Sequence, residues 1–518
     1  MAKPERIVLI NTKEDKAKAF DAVMRGVDLL ANAVKITLGP YGRNFILEKN
    51  GGKITNDGIS IAREIQAKDE VEDMALRLVR ESAIKTNEDA GDGTTTATTL
   101  VQAILKECSQ YMARSGSFAR RSVMSLKRDI EKECVTVIDE LKKLSTPVET
   151  MEQLVEVARV SVEDENLAQL IGSTQWDLGP LGVIIPEENT EPVCEVERVM
   201  GIRIDNGVGT SMVFNDHEKH RLYVKNVPVF LTNHTLQSIP DSLEAAINSF
   251  IHAGQKEIVI VAKAYTSDVI RVLMENANKS GGVKIYPMQA PYINQREIFK
   301  DMEAALGGRY IHDEGASMDS VTPADFGLAS IVIGEMYTAR FVGQNNEETK
   351  ERIKARLETV RAELKGEPSK FQKKALEARI SQMENGFALL KIGSTSDTDR
   401  KYLFDKAEDA VNAVRSALQE GTVPGAGLAY KTISESLPDD SLLKKPLLAP
   451  YNQIMENAGE VFEVEPWVRN SLKVDRVAFE NACRTASTLV TVGGVVVMEK
   501  PKSLDALLKP NAPQGDNE

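Results

Sequence analysis

The run Gly91-Asp92-Gly93-Thr94-Thr95-Thr96-Ala97-Thr98-Thr99 constrains this chain more than any other stretch. Two glycines around an aspartate break the backbone. From Ala97 onward apolar residues recur at helical spacing through Leu100/Val101, Ile104/Leu105, Cys108 and Tyr111/Met112. A helix therefore starts within the threonines, each of which is worse than alanine there by roughly half a kcal/mol. An N-cap at Asp92 with turn-forming glycines explains the Asp and the Gly residues, but not the threonine run. A phosphate cradle explains all of it. The N–H groups of a helix start point at the anion, glycines let the backbone approach, and hydroxyls add donors. Asp92 would be repelled by a polyphosphate unless a cation stood between them, and Mg²⁺ is commonly held by one carboxylate plus phosphate oxygens. The chain has no G-x-x-x-x-G-K-[ST], so this is not a standard P-loop.

The surrounding pattern places that motif at a corner between two helices, the first near 69–87. An earlier helical stripe runs through Phe20, Val23/Met24, Val27, Leu30/Ala31 and Val34 and stops at TLGPYG, 37–42. The runs NFILE and KITNDGISIA read as short strands, and a helix of roughly 120–143 ends before Pro147. The middle changes texture. VPVFLTN (227–233), KEIVIVA (256–262) and VKIYPM (283–288) alternate with helical runs at 240–252 and 267–278, which predicts a separate α/β domain. Residues 345–385 predict a charged helical hairpin that packs on a domain flank. Helices return at about 400–419 and 477–490, and the tail 509–518 reads as disordered. The whole is a multidomain α+β chain.

With 64 basic against 77 acidic residues the net charge is −13, which argues against a nucleic-acid partner. The four cysteines form no C-x-x-C pair, as expected in a reducing compartment. No apolar run approaches the roughly 20 residues of a membrane span, so the expectation is a soluble cytoplasmic protein without a membrane partner. Other motifs carry less. Gly425-Ala426-Gly427 would let backbone approach a flat ligand. His217 and His220 have metal-compatible spacing but no third ligand nearby. Asp409 reads as a surface residue, because the stripe Phe404, Val411, Val414, Leu418 faces away from it.

Taken in order, ITLGPYGRNFILE, ITNDGISIAREI, AGDGTTTATTLVQAIL, EDAVNAVRSALQEGTVPGAGLAY and KVDRVAFENACRTAS resemble the group I chaperonins, the bacterial GroEL-like ATP-driven folding machines. The resemblance implies three nested domains: equatorial (1–143 and 420–518), intermediate (144–199 and 388–419) and apical (200–387). It implies ATP and Mg²⁺ as cofactors. Thr37, Leu38, Gly39 and Pro40 would line the nucleotide, and Gly91, Gly93, Thr94, Thr95 and Thr96 would hold phosphates. Asp92 would bind the metal, Asp409 and Asp57 would arrange the attacking water, and Gly425, Ala426 and Gly427 would lie against the nucleotide. Gly201 and Gly386 would serve as hinges. Val208, Met212, Val213, Leu243, Ile247, Ile270 and Met274 would face non-native protein clients. The implied assembly is a homo-oligomeric ring, heptameric in the family, with a lid co-chaperonin as a further partner.

The chain departs from the family pattern in several places. Asn56 replaces a lysine, Ala426 a glycine and Asn470 an acid. The segment between 460 and 471 is short and lacks the hairpin that touches the adenine. The Gly/Met-rich tail is missing. This divergence points to an outlying, virus-encoded branch, with a ring-forming holdase or assembly scaffold of weak or lost ATPase as the alternative function.

Overall fold

Apolar residues three and four apart turn the N-terminal part of the chain into successive helices in the computed structural model: α1 (Lys13–Val34), α2 (Gly58–Glu64), α3 (Glu70–Ala90), α4 (Thr94–Arg114), α5 (Val123–Leu144), α6 (Met151–Val162) and α7 (Glu165–Leu178). There follow α8 (Asp241–His252), α9 (Ser267–Ala277), α10 (Gln295–Leu306), α11 (Glu347–Lys365) and α12 (Lys370–Asn385). The chain ends with α13 (Asp397–Glu420), α14 (Leu428–Ser436), α15 (Ala449–Ala458) and α16 (Leu472–Leu489). The structure describes residues 6–8, 13–48, 53–114, 122–162, 164–180, 182–189, 191–217, 220–277, 282–312, 317–366, 369–492 and 495–497. The tail 509–518 lies outside them.

Two compact units result, Met1–Gly172 with Ser396–Glu518, and Ser173–Thr395. In the first, α16 packs against α3, α4 and α5. Leu30 of α1, Leu76 of α3, Leu100 and Leu105 of α4, Leu126 of α5 and Phe479 of α16 are all fully buried in its core. Three short antiparallel pairs accompany these helices among the described residues, one of them joining Arg6–Val8 to Val495–Val497. Phe45–Leu47 pairs with Lys53–Thr55, and Thr422–Pro424 pairs with Arg469–Ser471, Val423 standing opposite Asn470. The strand reading of KITNDGISIA holds only for Lys53–Thr55. Beyond it Asp57 caps a helix, its Oδ1 accepting from Ile59 N and its Oδ2 from Ser60 N, each at 3.0 Å. Ile61 and Ala62 are then buried on the inner face of α2. Residue alternation alone cannot see that cap.

The second unit carries a six-stranded mixed sheet in the order Lys284–Gln289, Glu257–Ala262, Leu222–Leu231, Gly327–Gly334, Ala339–Val342, Gly201–Ile204. The first three strands run parallel and the rest antiparallel. Strand Glu257–Ala262 is buried on both faces, as its unbroken apolar run demands. A three-stranded sheet sets Phe387–Ile392 between Val183–Glu188 and Glu195–Val199. The charged hairpin forms as α11 and α12 and is bolted to α10 by one buried carboxylate. Asp301 accepts from Arg356 Nε at 2.7 Å and from Arg379 Nε and Nη2 at 2.7 and 2.8 Å. Among the described residues no helix is long and apolar enough to cross a membrane.

Candidate functional site

Within the first unit, one cleft of about 460 Å³ gathers most of the residues singled out by sequence. Thr37, Leu38, Gly39 and Pro40 reach it from the turn after α1, Asp57 from the cap of α2, and Asp409 from α13. Asp92, Gly93, Thr94, Thr95 and Thr96 reach it from the start of α4, and Ala426 and Gly427 from the turn before α14. Gly91 and Gly425 stand just behind the lining.

The threonine run divides cleanly. Thr98 and Thr99 turn their hydroxyls back along α4, donating to the carbonyls of Thr94 and Thr95 at 2.9 and 2.8 Å, so they serve the helix itself. Thr94, Thr95 and Thr96 face the cleft. Thr37 belongs partly to the scaffold, since its hydroxyl donates to Val34 O at 2.8 Å.

Gly91 ends α3 in the left-handed region, φ +76°, and its N–H donates to Asn87 O at 2.7 Å. A Cβ there would stand 2.4 Å from Asn412 Cβ on α13, one turn beyond Asp409. The bare backbone thus lets α13 bring Asp409 over the start of α4. Gly91→Ala is expected to lose about 1–2 kcal/mol from the left-handed conformation alone, with turnover falling further because α13 must shift. Denaturant melts run beside activity assays check this; an unchanged midpoint would show that α13 does not need this close approach.

The site is rich in acid. Asp57, Asp92, Asp409 and Asp475 all line it, with Lys406 as a nearby cation. Burial, then the carboxylates of Asp92, Asp57 and Glu408, hold Asp409 well above the usual carboxylate range, with Lys406 opposing. Burial also raises Asp92, helped by Asp57 and opposed by the Gly93 N–H and Lys406. Asp57 spends both oxygens on its capping bonds and accepts a third from Ser60 Oγ at 2.6 Å, so it is held rigidly. Among the described residues no group of three or more His, Cys, Asp or Glu side chains is arranged to hold a metal alone. A cation here would have to share its shell with oxygens of a bound anion. That is the mode Mg²⁺ favours, so the donor set fits it.

Among the lining residues that sequence reading did not single out are Arg159, Lys406, Trp467 and Asp475. Lys406 had a signal, lying three residues before Asp409 on one helix face. Asp475 is 3% exposed, and its carboxylate accepts from Asn470 Nδ2 at 3.2 Å. The acid absent at 470 thus has an amide in its place, tied to an acid five residues on. Burial pushes Asp475 up to about 7, with Asn470 opposing and Asp92 adding to the rise. The native state therefore keeps this proton to a higher pH than the unfolded chain does. The contribution of Asp475 to stability falls as pH rises from about 4 to about 7. Asp475→Asn should melt higher than the parent at pH 8 in nucleotide-free protein, the difference closing below about pH 4. Parallel melting curves across that range check the sign.

Ala426 sits at φ +52°, where its neighbour Gly427 is at +75°. The alanine that replaces a family glycine keeps the left-handed turn and carries its strain.

In the second unit the residues expected to face clients are mostly core. Val208, Val213, Leu243, Ile247 and Met274 are each under 10% exposed, and Ile270 packs against them. They belong to the hydrophobic core of this unit. Met212 alone is open, at 71%.

A nested chain with an α/β insertion and an acid-lined phosphate-type cleft in its helical unit is the plan of a chaperonin subunit. Residues 30–442 match the model of the TCP-1/cpn60 chaperonin family, and the chain belongs to it. In fold it is similar to the chaperonin gp146 from the bacteriophage EL 2 (Pseudomonas aeruginosa), crystallised in presence of ATP-BeFx. One crystal form matches with a TM-score of 0.62 at 20% identity, over 93% of this chain and 98% of that one. A second form matches with a TM-score of 0.57 at the same identity and coverage.

Proposed function

We propose that this chain is an ATP-driven chaperonin that hydrolyses Mg-ATP in the cleft, works in a homo-oligomeric ring and binds non-native proteins through the second unit. The observation that carries this is the meeting of the threonine-rich start of α4 with Asp92 and Asp409 in a single cleft. The backbone N–H groups and hydroxyls of 94–96 would hold the phosphates. Asp92 would hold Mg²⁺, which when bound offsets phosphate charge. Asp409, carried on α13, would accept a proton from the attacking water, and its raised proton affinity suits that task. Asp57, fixed by its cap, would help hold that water. The equatorial, intermediate and apical division, with hinges at Gly201 and Gly386, belongs to the same reading. The divergence from the group I pattern and the likeness to a phage chaperonin support a virus-encoded origin.

A client-refolding assay tests it. A denatured enzyme should aggregate less in the presence of this protein and regain activity only when Mg-ATP is added. The second reading, a holdase, is favoured by Asn56, whose amide reaches Tyr402 OH at 3.4 Å where a family lysine would stand. Protection from aggregation with no effect of ATP would decide for it.

A further inference from the structure

We infer that Trp467, backed by Arg159, is the surface on which the cleft holds the purine base of its nucleotide. This rests on the proposed nucleotide binding and supplies what it lacks, a base-binding wall in place of the missing hairpin. Two aromatic side chains line the cleft, Tyr430 and Trp467. Tyr430 is 1% exposed and donates its hydroxyl to Asp475 O at 2.6 Å, so it is committed to the core. Trp467 is left as the planar face open to a ligand.

Arg159 of α6 lines the same cleft, its guanidinium carbon 4.9 Å from the indole centroid, within cation–π range. One end of that guanidinium is paired with Glu165, which holds it over the ring. Its Nε is buried and has no hydrogen-bond partner among the described residues. The guanidinium backs one face of the indole, and a flat ring would take the other.

The position along the cleft fits as well. Val468 O accepts from Gly425 N at 2.8 Å, which fixes Trp467 beside the turn that carries Ala426. From there the strand Arg469–Ser471 leads into α16, where Val474 would lie 2.9 Å from a Cβ on Gly93. Val468 and the strand Arg469–Ser471 therefore separate Trp467 from the start of α16 at the phosphate end, a chain path of at most roughly 17 Å at about 3.3 Å per residue. A ribose and its phosphates fill such a span.

Calorimetric titration with Mg-ATP and with Mg-tripolyphosphate, which has no base, tests this. Trp467→Ala should bind ATP roughly 10- to 100-fold more weakly and tripolyphosphate as the parent does. Trp467→Phe should recover most of the difference. The chain has two tryptophans, so Trp176→Phe leaves Trp467 as the sole indole, and its fluorescence should change on adding ATP but not tripolyphosphate. That measurement needs no truncated side chain in the cleft. Parent-like ATP binding by Trp467→Ala, equal loss of both ligands, or silent fluorescence at saturating ATP would each overturn the inference while leaving nucleotide binding intact. A parent protein that binds neither ligand would instead remove the nucleotide reading, and this inference with it.

Discussion

Asp409→Ala is expected to bind Mg-ATP about as tightly as the parent while hydrolysing it roughly 10²- to 10⁴-fold more slowly, the usual contribution of a positioned proton acceptor. The 92–96 segment, not this carboxylate of α13, is expected to hold the phosphates, so loss of the carboxylate should spare affinity. Its surroundings also make truncation easy to tolerate. Asp409 is an acid forced up by burial and by three neighbouring carboxylates, and removing it relieves that repulsion. The variant should therefore fold well and melt no lower than the parent. Single-turnover phosphate release beside calorimetric titration separates the two effects. A variant with parent-like turnover would strip Asp409 of the role given to it, and Lys406 or Asp475 would need testing next.

The second large effect lies far from any chemistry. Asp301→Ala should destabilise the second unit by about 3–5 kcal/mol, because it leaves the guanidinium groups of Arg356 and Arg379 buried without their shared partner. Both arginines are largely sequestered, at 12% and 9% side-chain exposure, so water cannot replace the carboxylate. Glu297 offers Arg356 a second contact at 2.7 Å and will recover part of that loss. Hydrogen exchange read on α10, α11 and α12 should rise sharply, with phosphate release by the first unit unchanged. Exchange at parental rates would show that apolar packing alone holds the hairpin.

Much of this architecture was written in local pattern. Helical stripes placed α3, α5 and the two helices of the charged hairpin to within a few residues and α1 from Phe20 onward, because each presents one apolar face to a core. Three sheet strands were legible as apolar runs for the complementary reason, burial on both faces. Readings failed where a side chain outvoted the pattern, as Asp57 did by capping α2 through a run that alternates like a strand. They failed too where burial depends on distant partners. Asp409 looked solvent-facing along its own helix, and the packing of α13 against α6, α16 and α3 is what brings it into the cleft. Val208 and Leu243 carried no mark to distinguish buried core from an open groove. Trp467 and Arg159 are far apart in sequence, and nothing local announces that they meet. The cleft's phosphate end was therefore readable as a motif, while its other end became visible only once the chain was folded.

The central claim is that the cleft hydrolyses Mg-ATP. Steady-state phosphate release by the full-length protein, measured with Mg²⁺ and again with excess EDTA, tests it most directly. Release that saturates with ATP in Mg²⁺ and vanishes in EDTA is the predicted result. No release in either condition, from protein that still suppresses client aggregation, would contradict it.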